Sequence, residues 1–269
     1  MKLPENFNDA LGAVLKTATP MEGYLTDREM KFLFLLGASP AAEGEVLEVG
    51  SFKGKSTVLL ASALRLIGGG SVVAVDPLTS PSVTDPSLMG KESGWEDFQA
   101  NIGGAGVRDK VEFHRMFSHE LSKGWDRKLR LLWIDGDHTY EGAKADFDMF
   151  SPFLNDGAIV ALHDVLNLGS FDGPFRVFME DILLSERFGP AGLCGTIGWG
   201  RYLSDERKCR RCEGEKMRLY SKLRRLKPFA VTDKPIRGMR KIKYKILRFL
   251  VPHSEISPEK WLKEAGLPG

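Results

Sequence analysis

Four short stretches of the chain bring together residues able to do chemistry. Glu48-Val49-Gly50-Ser51-Phe52-Lys53-Gly54-Lys55-Ser56-Thr57 joins an acid to a glycine-spaced turn, and Val72-Val73-Ala74-Val75 runs into Asp76-Pro77. Asp135-Gly136-Asp137-His138 follows one apolar run and His163-Asp164 follows another. A glycine turn between a strand and a helix lets a ligand approach the backbone, with the helix N-terminus beneath it. Three ligand classes use such a turn. A nucleoside triphosphate needs Gly-x-x-x-x-Gly-Lys-Ser/Thr, and Gly50, Gly54, Lys55 and Ser56 are one residue short of it. A nicotinamide dinucleotide needs a glycine at position 52, which is Phe52. S-adenosylmethionine has no phosphates and needs no lysine cradle. An acid before a Gly-x-x-x-Gly turn and a second acid ending the next strand suit it better. Gly50 and Gly54 would permit close approach, and Asp76 would accept hydrogen bonds from the ribose hydroxyls. Glu48 would orient the loop or meet the ligand's ammonium. The plain alternative for Asp76 is a turn residue before Pro77.

The elements around these stretches alternate. Phe7, Leu11, Val14 and Leu15 follow helical spacing, and Thr26 with Glu29 forms a capping-box pattern before an apolar helix around Met30–Leu36 that Gly37 would end. Continuous apolar strands are expected at 46–49, 72–75, 129–134 and 159–162, with a further strand at 111–113. Helices are expected at 55–66, near 95–102, over 143–154 and near 175–184. Residues 78–91 are polar and proline-rich and read as loop. Apolar strands alternating with helices predict an α/β fold, a doubly wound parallel sheet covered on both faces. Gly192–Thr196 and Gly198–Leu203 suggest a hairpin at its edge.

VLEVGSFKGKST, VVAVDP and LLWIDGDHTYEGAKADFDMFSPFLNDGAIVALHDV resemble the class I S-adenosylmethionine-dependent methyltransferases. More closely, they resemble the bacterial group of macrocin O-methyltransferase-like and cephalosporin hydroxylase-like proteins, over roughly residues 23–203. The resemblance implies a Rossmann-like sheet of seven strands whose last strand is antiparallel. It implies cofactor contacts at Glu48, Gly50, Ser51, Gly54 and Asp76, with Ser118 near the adenine and Gly23-Tyr24-Leu25 near the amino acid end. It further implies O-methylation of a sugar, glycan or other small-molecule hydroxyl. In members acting on sugars a divalent cation, Mg2+ or similar, holds the acceptor, with ligands matching Asp135, His163 and Asp164. His138 would be the catalytic base beside Asp135. This chain departs from the pattern at His163, where an acid is usual. An imidazole there shifts preference toward transition ions or signals no ion. Capping of the following helices is the alternative role of Asp135, Asp137 and Asp164. A P-loop-like nucleotide-binding protein and a non-catalytic S-adenosylmethionine-binding protein of the same fold stand as rival readings.

The 269 residues are 42% hydrophobic and 28% charged, enough for a sizeable core. No run approaches the length of a membrane span, and no secretory signal is visible, so a cytoplasmic protein is expected. Net charge is +2, but residues 1–200 carry 18 Lys and Arg against 28 Asp and Glu, whereas residues 201–250 carry 18 against 5. The expected division is a catalytic domain over 1–204 and a basic, mostly helical extension over 205–269. Leu223 and Leu226 recur with Tyr220 at a spacing of three, and Met239, Ile242, Ile246, Leu247 and Leu250 follow helical spacing among basic residues. Such a segment packs on the acidic body or on a second copy in a homo-oligomer, or attaches peripherally to an anionic membrane. It lacks the interleaved aromatics that would favour nucleic acid. The three cysteines, Cys194, Cys209 and Cys212, form no disulfide framework. Cys209-Arg-Arg-Cys212 has half of a zinc spacing with no second pair, so reduced thiols are expected.

Overall fold

The computed structural model describes residues 3–79, 94–168, 171–230 and 236–267. Helices α1 (Phe7–Ala18) and α2 (Asp27–Ala38) precede β1 (Glu45–Val49), α3 (Lys55–Leu66), β2 (Val72–Val75), α4 (Trp95–Gly104) and β3 (Val111–His114). The short α5 (Ser118–Leu121), then β4 (Leu129–Ile134), α6 (Tyr140–Phe150) and β5 (Leu154–Leu162) follow. Next comes α7 (Gly173–Val177), which widens into a π-helical turn over Phe178–Leu183, and then the hairpin β6 (Phe188–Cys194) and β7 (Ile197–Tyr202). The chain ends in α8 (Glu206–Arg211), α9 (Glu213–Arg224), α10 (Gly238–Phe249) and α11 (Pro258–Glu264). Of the loop expected at 78–91, residues 80–91 lie outside the described residues.

The seven strands form one sheet in the order β3-β2-β1-β4-β5-β7-β6. Strands β1 to β5 are parallel to their neighbours, while β7 runs antiparallel to both β5 and β6. Side chains alternate between two cores, as the pleat requires. Val46, Val72, Ala74, Leu131, Trp133 and Ile159 face α1, α2 and α3. Leu47, Val49, Val73, Leu132, Ile134 and Val160 face α6, α7 and the π turn. The order reverses at β1, between β2 and β4, and the carboxyl ends of those strands open there.

Helix α2 carries the expected capping box, in which the Thr26 side chain accepts from the Glu29 amide and Glu29 accepts from the Thr26 amide. Its residues from Phe32 to Ala38 are buried on every side. A helix apolar all round needs cover on more than one face, and the C-terminal segment supplies it. Trp261 of α11 is fully buried and packs edge-on against Phe32 and Trp199, with ring centroids 5.8 and 5.5 Å apart. On the other face of the sheet Leu219 and Leu223 of α9, with Leu226 and Phe229, enter the second core. Lys216 is buried and donates to the carbonyls of Ser185 and Phe188 at 2.5 and 2.6 Å.

Of the alternatives open for the extension over 205–269, these contacts are those of α9 and α11 packing on the body. Helices α9 and α11 complete the two cores. Apart from Lys216, the basic residues of α9 lie on its solvated side. Cys209 is buried and accompanies Cys212 as a free thiol.

One carboxyl group sits inside the first core. Glu48 is fully buried in β1, where it accepts from the hydroxyls of Ser51 and Thr57. Burial pushes its pKa up to about 7 despite these hydrogen bonds, with Asp135 adding to the rise. The folded chain therefore keeps a proton that the unfolded chain loses near its ordinary value of 4.5. Stability falls as pH rises between these values, by on the order of 3 kcal/mol, and the loss is complete above about pH 7.

Two outcomes are expected. Trp261→Ala should lower the stability measured by urea unfolding by about 3–5 kcal/mol, and a chain ending at Ser204 should not fold cooperatively. A truncated chain as stable as the full one would show that the tail is an appendage. Glu48→Gln should flatten the decline of stability between pH 5 and 7, read from unfolding midpoints across that range. Parallel profiles for the two proteins would show that Glu48 is ionised throughout.

Candidate active site

The turn after β1 is built by close approach. Gly50 adopts φ 85°, and a Cβ there would stand 2.3 Å from the carbonyl oxygen of Asp135, so only glycine fits. Its amide donates to Val75 at 2.9 Å, and the amide of Asp135 donates to Val49 at 2.8 Å. Asp76 receives the next two amides, of Ser51 and Phe52, on Oδ2 at 2.8 Å each, and the amide of Leu78 on Oδ1 at 2.7 Å. Burial raises the Asp76 pKa, and these three amides oppose the rise. Phe52, Leu78 and Asp164 are the non-glycine residues at positive φ among the described ones, at 46°, 48° and 56°. All three follow a strand at the carboxyl edge of the sheet, where strained backbone accompanies a functional site.

This arrangement does not suit a phosphate cradle. The amides of Ser51 and Phe52, which an anion would need, are already satisfied by the Asp76 carboxylate. The P-loop reading therefore fails on geometry as well as on spacing.

Across the cleft from the turn lies a cluster of acids and imidazoles. The amide of His163 donates to Ile134, which brings the end of β5 beside Asp135. Asp135 Oδ1 lies 3.0 Å from His163 Nδ1 and 3.3 Å from His138 Nε2. Asp164 stands 3.8 Å from each ring, with Oδ1 facing His163 Nδ1 and Oδ2 facing His138 Nδ1. Below them His163 Nε2 is buried and 4.0 Å from Glu29 Oε2, an ion-pair distance without a hydrogen bond. Burial opposes a charge on His163, but Asp135, Glu29 and Asp164 outweigh it and hold the imidazole well above its ordinary range. His138 is likewise raised, with burial opposed by Asp135 and Asp164. Burial alone would raise Asp135, and the two imidazoles bring it below its ordinary value. Glu29 is held far below the usual carboxylate range against its burial by His163, Thr26 and Thr196.

The cluster corrects the metal expectation. Among the described residues no three His, Cys, Asp or Glu side chains are arranged to hold an ion. Asp135, His163 and Asp164 have donor types that could do so, but as arranged His163 Nδ1 lies 3.0 Å from Asp135 Oδ1, so these two groups are spent on each other.

The other expected residues fall into three groups. Gly23 and Tyr24 face Gly50 and Ser51 across the cleft, and Asp135, His138, His163 and Asp164 form its floor. Glu48, Gly54 and Asp76 stand behind the turn and shape it; Glu48 has no exposed surface, so orienting the loop is the role its geometry fits. Ser118 does not join the cleft. Its hydroxyl donates to Asp146 on α6 at 2.6 Å, and burial lifts that carboxyl to about 6.

Sequence reasoning missed Glu29, Thr196 and Lys55. Glu29 is the capping acid of α2, yet its Oε1 also accepts from the amide and hydroxyl of Thr196 in the β6–β7 turn, at 2.6 and 2.7 Å. The capping pattern was a signal for the local bond and carried none for the distant one. Lys55 lines the cleft beneath Gly23, and burial lowers its pKa.

Residues 47–165 match the model of a family described as a methyltransferase domain. An O-methyltransferase from Bacillus cereus, solved in complex with S-adenosylhomocysteine, has the same fold with a TM-score of 0.51 at 19% identity, over 72% of this chain and 90% of its own. The O-methyltransferase TomG from Streptomyces achromogenes, involved in tomaymycin synthesis and solved with S-adenosylmethionine, gives 0.51 at 18% identity, over 76% and 92%. At such identities the likeness is one of fold. The matched domain spans β1 to β5 and holds the glycine turn, Asp76, Asp135, His138, His163 and Asp164. Residues 47–165 thus match a methyltransferase domain, and the chain has the fold of the S-adenosylmethionine-dependent O-methyltransferases it resembles.

Proposed function

We propose that the chain methylates a hydroxyl oxygen of a small molecule, a sugar or glycan being the favoured class, with His138 as the base and without a bound metal ion. The observation that carries this reading is the position of His138. Its Nε2 is held by Asp135, and Nδ1 is left on the Asp164 side of the cleft that faces the glycine turn. S-adenosylmethionine supplies an electrophilic methyl on a sulfonium. Three features of the cleft fit it. Gly50 offers bare backbone, the floor is rich in carboxylates that favour a cation, and Asp76, behind the turn, keeps one acceptor site beyond the three it uses. The sugar preference rests on the resemblance of the IDGDHTYEG block.

In this reading the acceptor oxygen forms its bond to the methyl carbon as the sulfur–carbon bond breaks. The hydroxyl proton passes to His138 Nδ1. Asp135 stabilises the imidazolium that results, as an acid beside a histidine does. His163 fixes the Asp135 carboxylate from the opposite side. Because the raised pKa of His138 favours its charged form, the base must first lose a proton, and turnover should climb as pH rises past the ordinary imidazole range.

The expected effects separate these roles. His138→Ala should lower kcat by roughly two to four orders of magnitude and leave calorimetric binding of S-adenosylhomocysteine nearly unchanged. Wild-type kcat in the His138→Ala variant would remove this residue from the chemistry. Exhaustive chelation should leave turnover intact, and activity restored only by a divalent ion would overturn the metal-free reading. Asp76→Ala should weaken S-adenosylhomocysteine by about 1–3 kcal/mol and also lower the melting temperature, since it frees three amides. A variant with unaltered stability and binding would show that Asp76 neither straps the turn nor meets the ligand.

A further inference from the structure

Helix α10 is only half packed. Leu247 is buried and Tyr244 lies against Phe229, with ring centroids 5.5 Å apart; the Tyr244 hydroxyl also donates to the carbonyl of Leu166. The opposite side carries Met239, Ile242, Ile246 and Phe249, which are 87, 59, 56 and 86% exposed, with Leu250 beside them at 46%. At 100° per residue these side chains fall within one arc of about 100°. They are most of the large apolar side chains exposed among the described residues. Lys243 borders the arc on one side and Lys245 on the other, both exposed. From Ile236 to Leu250 there are six cations, Arg237, Arg240, Lys241, Lys243, Lys245 and Arg248, and no acid. None of Arg237, Lys241, Lys243 and Lys245 joins a salt bridge among the described residues.

An apolar stripe flanked by lysines suits the boundary between headgroups and acyl chains. It does not suit self-association through the same face, which would bring the bordering Lys243 and Lys245 of the two copies together. It does not suit nucleic acid, because Phe249 is the one aromatic among its five exposed apolar side chains, and base stacking along a strand calls for several. Among the described residues no helix is long and apolar enough to cross a membrane, and the mode considered is attachment to a surface. We propose that α10 docks the protein on an anionic lipid bilayer, with Met239, Ile242, Ile246 and Phe249 inserted and the flanking Lys243 and Lys245 on lipid phosphates. The surface is α10 alone. Helix α9, also basic, spends its apolar side on the core. Tyr244 ties α10 to Leu166, two residues beyond Asp164.

The test is co-sedimentation of the full chain with extruded vesicles of phosphatidylcholine alone or mixed with phosphatidylglycerol, at low and high salt. The wild type should sediment with the mixed vesicles and not with the neutral ones, and high salt should weaken binding. Ile242→Asp/Phe249→Asp and Lys243→Glu/Lys245→Glu should each reduce partition at least about tenfold, with unchanged unfolding midpoints because Leu247 and Tyr244 stay in place. Equal sedimentation with both vesicle types would overturn the proposal. So would wild-type partition by the Ile242→Asp/Phe249→Asp protein, or a lipid-free dimer in analytical ultracentrifugation that this variant dissolves.

Discussion

The approach of Gly50 to the carbonyl of Asp135 sets the carboxyl edge of the sheet. For β1 and β4 to lie side by side and still release their chains upward, the backbone after Val49 must pass within a Cβ's width of the backbone after Ile134. Only a glycine in the left-handed region does so. Once it has, the amides of Ser51 and Phe52 point at the end of β2, where Asp76 receives them. The same crossing brings Asp135 under the turn, within reach of His138 and His163. The cleft is thus a consequence of one tight passage between two parallel strands, held by an acid on the neighbouring one.

That passage concentrates negative charge. Glu48, Asp76, Asp135 and Asp164 all sit at strand ends, with Glu29 entering from α2. Such a set is unfavourable without compensation. The chain supplies it in two ways. Glu48 retains its proton, pushed up to about 7 by burial. Two imidazoles take protons and pair with Asp135 and Asp164. Neither device needs a bound ion. What remains exposed is an edge of carboxylates around a histidine, and such a site attracts a cationic ligand and can accept a proton.

Much of this was legible in the sequence because it depends on local rules. The apolar runs at 46–49, 72–75 and 129–134 could only be buried parallel strands. Glycines at 50 and 54 could only mark a tight turn, and Thr26 with Glu29 specified the start of α2. What was not legible depends on partners far along the chain. Glu29 meets Thr196 across 167 residues, and nothing near either residue announces it. The residue types at 135, 163 and 164 matched a metal set, but whether a histidine presents a lone pair or a proton is decided by the carboxylates around it. Ser118 held the expected place in the chain with its hydroxyl turned to Asp146. The π-helical turn at Phe178–Leu183 has no counterpart in the hydrophobic spacing.

The charge asymmetry between the two parts of the chain looks like a single feature in the sequence and is two in the structure. Spacing identifies an amphipathic helix but does not say what covers its apolar side. For α9 the answer is the sheet and the π turn, so its leucines are core, and Lys216 is drawn in to satisfy carbonyls at the start of β6. For α10 the body covers Leu247 and part of Tyr244 and leaves the rest bare. Exposed apolar side chains on a domain that already owns two complete cores add nothing to its folding. Four of them, Met239, Ile242, Ile246 and Phe249, on one helix face bordered by lysines are the observation on which the proposed lipid surface rests.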